Sequence, residues 1–433
     1  MYLMSFDRMS GIYPMKNSNA INAVLDIGSD KILCIIAKNN QQDNDYEKFE
    51  VIGLGHQRSS GFEHGSIVDP STLELSIRKA IEDAERMASL TIDKISVNIT
   101  SDKVESNLFE ISIPINDTQV AKRDLDKAII IAAEQNHTPE KLIFETMPLG
   151  FSIDGVDLIE DPVGMYGEKL KVNLNNLTCA KSIIQNINNV VESAHIEVER
   201  IIFSPIASAI ATLSSDEANL GSIVIDMGAG TTSYSIFSDN IFRYAGVVPY
   251  GGNNITTDIA RALSISLSDA EKLKILYGGV LTNSYDNGDV INIKQLGYHS
   301  DVGSEKQIQK STIADISRSS ALDTFERVRA AIQQISPELL SQKRVILTGG
   351  GSQLIGIDDL ASEIFQSPIR RAVPKAISRD FDISDPIFSN AMGMLTYAQN
   401  ETFVNKKITT RGLSYNPGNN FFSSLTKWFK DSF

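Results

Sequence analysis

Apolar residues along this chain change their spacing in blocks, and the blocks predict the elements. Val24-Leu25-Asp26-Ile27 and Ile32-Leu33-Cys34-Ile35-Ile36 are apolar runs of β type, separated by Gly28-Ser29-Asp30. They predict strand, tight turn, strand. The same phrase returns near mid-chain as Val224-Ile225-Asp226-Met227-Gly228-Ala229, followed by a second strand through Phe237. Each copy is a hairpin with an acidic residue at its mouth, and repetition on this scale points to a duplicated architecture.

Between the hairpins the spacing turns helical. Leu73, Ile77, Ala80, Ile81, Ala84, Met87 and Ala88 form a stripe behind Asp69-Pro70-Ser71, which predicts a helix over 71–89. A strand follows over 95–100. Strands at 108–115 and 141–153 flank a helix near 119–136, and Gly/Pro turns follow around Asp161-Pro162-Val163-Gly164. We read 102–170 as a small inserted α+β subdomain. Strand 171–179, helix 181–195 and strand 198–203 then resume the parent unit. After the second hairpin come Pro249–Asn254, a helix, and another helix at 268–276. The polar stretch 281–306 reads as a loop or partly disordered insert. Helix 311–335, strand 345–347 and a last helix near 387–399 complete the body.

The expected organisation is therefore a flexible extension over 1–20 and a first core unit of 21–101 with 171–203, carrying the 102–170 insert. A second core unit of 204–245 with 329–402 carries an insertion at 246–328. A linker at 403–420 and a terminal helix at 421–433 follow.

Composition narrows the class. The 433 residues are 42% apolar and 22% charged, as in ordinary soluble globular chains. Cys34 and Cys179 are the only cysteines, which argues against a disulfide framework and fits a reducing cytoplasm. No run approaches the ~20 apolar residues of a membrane span. The net charge is −14, yet residues 403–433 hold Lys406, Lys407, Arg411, Lys427 and Lys430 against Asp431. An acidic body with a basic tail argues against nucleic acid as the main partner.

On a helical wheel Phe421, Phe422, Leu425, Trp428, Phe429 and Phe433 fall within an arc of about 140°, with Lys427 and Lys430 on the other side. Such a helix, about 20 Å long, suits either an anionic membrane surface or the protein's own core.

Acid-headed hairpins can offer backbone N–H groups and hydroxyls to phosphate while the Asp orients a hydrated Mg²⁺. Gly349-Gly350-Gly351 follows an apolar strand, and lets a ring lie on the main chain or simply makes a tight turn. No Gly-Lys-Ser/Thr sequence occurs, so a P-loop is not supported.

With these motifs the chain resembles the actin-fold ATP-binding superfamily, and within it the FtsA family of bacterial cell-division proteins. The resembling segments are 24–32, 61–69, 225–232, 248–260, 268–278, 345–357 and 390–397. The resemblance implies an α/β, actin-like (ribonuclease H-like) duplicated fold, with two lobes around a nucleotide cleft. It carries nucleotide contacts onto Asp26, Gly28, Ser29 and Lys31; Asp226, Gly228, Gly230, Thr231 and Thr232; and Gly251, Gly252 and Asn253. Glu271 would hold ribose hydroxyls and Lys274 would lie beside adenine, although residues three apart on a helix also make ordinary ion pairs. Gly350, Gly351 and Ser352 would back the adenosine. Asp26 and Asp226 would reach Mg²⁺ through water.

The resemblance further implies ATP binding, actin-like filaments, and docking of the FtsZ C-terminal tail on the 246–328 insertion. Residues 102–170 would mediate self-association or contacts with other division proteins. The terminal helix would then bind anionic lipids of the inner membrane's cytoplasmic face and tether the FtsZ ring at the division site.

Three positions depart from the family. Ser204 stands where other actin-fold ATPases place Glu or Gln, so weak or absent hydrolysis is expected. Asp30 adds a carboxylate beside the phosphates, and Arg318-Ser319-Ser320 replaces a Pro-Arg step. The alternatives are an actin-fold kinase or chaperone-type ATPase, or the pilus-assembly scaffold of the same fold.

Overall fold

The structure is a computed structural model. It describes residues 21–39, 49–116, 119–135, 139–159, 161–239, 241–281, 289–294, 305–335, 337–340, 343–375 and 381–399. The expected extension at 1–20, the linker at 403–420 and the amphipathic helix at 421–433 lie outside the described residues.

The first unit runs β1 (Ile21–Ile27), β2 (Lys31–Asn39), β3 (Phe49–Arg58), a two-stranded ribbon of β4 (Phe62–Glu63) and β5 (Ser66–Ile67), α1 (Pro70–Ala88) and β6 (Lys94–Ile99). The insert follows as β7 (Glu105–Pro114), α2 (Lys122–Gln135), β8 (Lys141–Ile153), β9 (Val156–Ile159) and β10 (Lys169–Ala180). Then α3 (Lys181–Ser193) and β11 (Glu197–Phe203) complete the first sheet, in the order β3-β2-β1-β6-β11.

After α4 (Ser204–Thr212) and α5 (Ser215–Leu220), the second unit runs β12 (Ser222–Met227), β13 (Thr232–Ser238), β14 (Ile241–Val248), α6 (Gly252–Leu263) and α7 (Leu267–Tyr277). It continues through β15 (Val290–Lys294), β16 (Glu305–Gln309), α8 (Lys310–Ile335), β17 (Arg344–Thr348), α9 (Ile357–Phe365), β18 (Ile369–Arg371) and α10 (Ser389–Gln399). Its sheet has the order β14-β13-β12-β17-β18.

In both sheets three antiparallel strands are followed by two parallel additions. The duplication is thus one of topology as well as of words. β1 buries every residue from Asn22 to Ile27, which is why its run reads as nearly continuous apolar sequence. α1 starts where expected, because the Asp69 carboxylate accepts from the backbone N–H of Ser71 and Thr72, and Pro70 needs no N–H there. Leu73, Ile77, Ala80, Ile81 and Ala84 face the sheet.

Two readings of the sequence need correction. The strand expected to rejoin the first unit at 171 instead lies at the centre of the insert's sheet, pairing with both β7 and β8. Its Leu170, Val172 and Leu174 enter the insert's own core, while Leu177 and Cys179 enter the first unit's core. One strand serves both, so local pattern could not show the change of ownership. The polar stretch 281–306 contains β15 and the start of β16, an antiparallel ribbon held by alternation at Ile291, Ile293 and Ile308. The helix expected over 311–335 is α8, whose Ala321, Phe325, Val328 and Ile332 are buried. Among the described residues no helix is long and apolar enough to cross a membrane.

Candidate nucleotide-binding cleft

The two hairpins close with the same backbone bond. Gly28 N–H donates to the Lys31 carbonyl at 2.9 Å, and Gly228 N–H donates to the Thr231 carbonyl at 2.9 Å. Their turns face each other across a cleft whose free space is about 760 Å³, part of it open to solvent. The approach is close enough that a Cβ on Gly230 would sit 2.3 Å from Ser29 Oγ. The turn of the β4–β5 ribbon closes over the same point, where His64 Nδ1 lies 2.9 Å from the Gly230 carbonyl. That carbonyl can only accept, so Nδ1 carries the proton. On the floor Gly349 has φ +82°, and a Cβ there would meet Asp226 Oδ1 at 2.1 Å. Only glycine lets the main chain pass that carboxylate.

Of the residues expected in the site, Asp26, Gly28, Ser29, Lys31, Asp226, Gly228, Gly230, Thr231 and Gly350 line the cleft, as does Asp30. The others support it from behind. Thr232 is buried, and its hydroxyl donates to the Tyr250 carbonyl at 2.7 Å. Gly252 and Asn253 donate backbone N–H groups to the carbonyls of Gly228 and Ala229 at 2.9 and 2.7 Å, stapling the start of α6 onto the second hairpin turn. A Cβ on Gly251 would meet those same two carbonyls. Gly351 packs on Met227, and Ser352 Oγ donates to the Gly349 carbonyl at 2.7 Å. Glu271 and Lys274 do form the i,i+3 pair, at 2.7 Å. Lys274 Nζ also donates to Thr256 Oγ1 at 2.9 Å and the Gly252 carbonyl at 3.1 Å, so the pair is pinned to the first turn of α6.

Several cleft residues were not anticipated. Asn98 Nδ2 reaches Asp26 Oδ1 at 3.1 Å and Ser204 Oγ at 3.2 Å, while its Oδ1 accepts from the Ile27 N–H at 2.7 Å. Asn390 Nδ2 donates to the same Asp26 oxygen at 2.7 Å. Thr100 hydrogen-bonds Ser204, and Ser208 donates to Asp226 Oδ2. Lys31 Nζ donates to the Ile387 carbonyl and lies 5.3 Å from the Phe388 ring centroid. Of these residues Asn390 lies in the resembling segment 390–397, without a role read from it; the lone Asn and Ser side chains of β6 and α4 carry no distinctive spacing.

The charges in the cleft are strained toward neutrality. Burial raises the Asp26 carboxyl above the usual range, against Lys31 and the Asn390 hydrogen bond. Burial pushes Asp226 up to about 6, opposed by Ser208 and reinforced by Asp26. Burial lowers Lys31, against the pull of Asp26, Asp226, Asp385 and Asp30. Two desolvated carboxylates over one lysine form a donor set suited to a hydrated cation. Among the described residues no three His, Cys, Asp or Glu side chains gather as a metal cage. A cation here would therefore keep its water and share it with phosphate, which fits an Mg²⁺–nucleotide complex.

Comparison with known proteins decides the family. The curated FtsA of Rhizobium meliloti is 35% identical over 427 residues, covering 97% of this chain and 96% of that protein. This chain belongs to the FtsA family of cell-division proteins. The FtsA of Escherichia coli is 26% identical over 396 residues, with 88% and 92% coverage. The model for cell division protein FtsA matches 223–393, and that for the SHS2 domain inserted in FtsA matches 101–178. The latter range places most of β10 in the insert, as the strand pairing does.

Solved structures agree on the fold. The PilM–PilN type IV pilus biogenesis complex aligns with a TM-score of 0.60 at 16% identity, over 88% of this chain and 99% of that one. MreB5 of Spiroplasma citri bound to ADP aligns with a TM-score of 0.53 at 16% identity, over 91% and 99%. The FtsA-family chain therefore has the actin-like, duplicated α/β fold.

Proposed function

We propose that this FtsA-family chain binds ATP with Mg²⁺ between its lobes and tethers the FtsZ ring to the cytoplasmic face of the inner membrane. The observation that carries the nucleotide part is the pair of acid-headed hairpins facing each other across one cleft. Backbone N–H groups and the Ser29 and Thr231 hydroxyls would receive phosphate, and Asp26 and Asp226 would orient cation-bound water. Mg²⁺, when bound, would offset the phosphate charge that these carboxylates otherwise repel. Glu271 and Lys274 would face ribose and adenine, with Gly350, Gly351 and Ser352 behind the ring. The ADP-bound MreB5 neighbour supports nucleotide in this fold.

Hydrolysis would be slow or absent. Ser204 opens α4 where a base is needed, a hydroxyl cannot serve as one at neutral pH, and its partners Asn98, Thr100 and Asn390 are not bases either. Nucleotide would thus act as an assembly ligand, closing the lobes and favouring actin-like filaments. The insertion at 246–328 would receive the FtsZ tail, and the SHS2-type insert would contact a second copy or other division proteins. Residues 421–433 would lie in the anionic headgroup layer, where one short helix binds weakly and lateral assembly adds avidity. The pilus scaffold shares only the fold at 16% identity, so the family assignment favours the division role.

The test is co-sedimentation with anionic liposomes of the full chain and of a chain ending at Asn420, with and without ATP. Pelleting of the full chain alone, stronger with ATP, is the expected result. Equal pelleting of both, or of neither, would overturn the tether.

A further inference from the structure

Asn390 lies 364 positions from Asp26 in sequence, yet its amide is the 2.7 Å partner of that carboxylate. The orientation of the amide follows from what it touches. Nδ2 donates to Asp26 Oδ1 and reaches Ser204 Oγ at 3.3 Å. Turned over, the amide would set its oxygen against a carboxylate oxygen, which is repulsive. Among the described residues the Asn390 Oδ1 is thereby left without a donor, although the residue is only 8% exposed and lines the cleft. A buried amide oxygen in that position has given up its hydrogen bonds to water with no replacement, which is costly. Whatever removes the cost must be a donor arriving through the cleft.

Phosphate oxygens accept and so cannot satisfy it. Water on a divalent cation can: the metal binds its oxygen, and both hydrogens point outward, polarised. Ribose hydroxyls donate as well, but the nucleotide reading places them at Glu271, which does not line the cleft around Asp26, and leaves cation-bound water as the donor beside the phosphates. Asp26 is prepared for it, because Asn98 and Asn390 both donate to Oδ1 and leave Oδ2 free of hydrogen bonds from described residues.

We infer that Asn390 is a positioning residue for a hydrated divalent cation: its Nδ2 fixes Asp26, and its Oδ1 accepts a hydrogen bond from a cation-bound water. The inference rests on the nucleotide reading above. It adds a cation contact from α10, an element outside both hairpins, to a site in which Ser204 offers only a hydroxyl.

The experiment measures binding of a fluorescent ATP analogue to the full chain in EDTA and in Mg²⁺, and takes the ratio of the two dissociation constants. Asn390→Ala should shrink the Mg²⁺-dependent gain by about tenfold, the usual scale for a group that orients a metal ligand. Asn390→Asp keeps an oxygen at the accepting position but loses the amide donor and sets a second carboxylate against Asp26, so its gain should fall below the wild-type value and stay above that of Asn390→Ala. Asn98→Ala removes one donor from Asp26 but spares the acceptor, and should fall between. A folded Asn390→Ala protein with the full gain would overturn the inference. If that variant does not fold, an undiminished gain in Asn390→Asp overturns it instead, since the amide donor to Asp26 would then be dispensable. Absence of analogue binding to the wild-type chain in either buffer would overturn the nucleotide reading itself.

Discussion

The two hairpins share a backbone and differ in what holds their acids. Asp26 is gripped through one oxygen by amides from β6 and α10, elements on either side of it. Asp226 is held by a single hydroxyl from α4, and Gly349 lies against its other oxygen. Duplication repeated the turn, the register and the carboxylate. It did not repeat the side chains packed behind, so the two halves of the clamp differ in stiffness and charge. The amide-held acid is set for orientation. The hydroxyl-held acid, at a pKa of about 6, is poised to respond to the charge that enters the cleft.

The comparison breaks most sharply if each acid is removed. Asp26→Ala should weaken Mg²⁺-dependent nucleotide binding by about 10–100-fold, and Asp226→Ala by less, because only the first is rigidly oriented. Calorimetric titration of both variants checks the order, and a larger loss for Asp226→Ala would reverse the assignment of roles.

A second contrast sets the cleft against a structural carboxylate. Burial alone would raise Glu217, but Arg370 grips it through both oxygens at 2.6 and 2.7 Å, and Ser214 adds capping bonds, which together hold it down to about 2. A depressed folded-state pKa contributes stability that is complete above the unfolded value near 4.5 and is lost as pH falls toward 2. Glu217→Gln should cost about 2–3 kcal/mol at neutral pH, seen in denaturant unfolding, and flatten the acid limb of the stability curve.

Asp226 carries the opposite sign. Its pKa is raised from 3.8 to about 6, so folding works against the ionised form, which still prevails near neutral pH. Stability from this group is present below about pH 4 and is lost as pH rises through 6. Asp226→Asn should therefore stabilise the ligand-free chain at pH 7 by about 1–2 kcal/mol, less than a sealed site would give because the residue is partly open to the cleft. Thermal melting at pH 5 and 7 checks it: the gain should shrink at the lower pH.

How far all this was legible depends on the range of the cause. Asp-x-Gly between β runs is a local instruction, and both hairpins follow it. The Asp69-Pro70 start of α1 is equally local. β10 failed the boundary test because alternation at Leu170, Val172 and Leu174 looks the same whichever sheet receives it. The ribbon at 290–294 did carry a signal, Val-Ile-Asn-Ile, hidden within a polar stretch. Asn98 carried none, and Asn390 only its place at the head of the resembling segment 390–397: what both do appears only when β6 and α10 meet at Asp26. The acids could be found from sequence, whereas the amides that orient them could not.

The smallest effect concerns the point where the lobes touch. His64 donates from Nδ1 to the Gly230 carbonyl, so an exposed loop of the first unit is tied to the second hairpin turn by one hydrogen bond. A bond of this kind contributes about 0.5–1.5 kcal/mol, a few-fold in an equilibrium. It forms only when the hairpins face each other at this distance, so it stabilises the closed arrangement and not the separate lobes. His64→Ala should leave the melting temperature of the ligand-free chain nearly unchanged and speed nucleotide release a few-fold, with little change in the association rate. Stopped-flow displacement of a fluorescent analogue measures both rates. Slower association with unchanged release would mean that the loop guides entry to the cleft, and that the two hairpins keep their spacing without it.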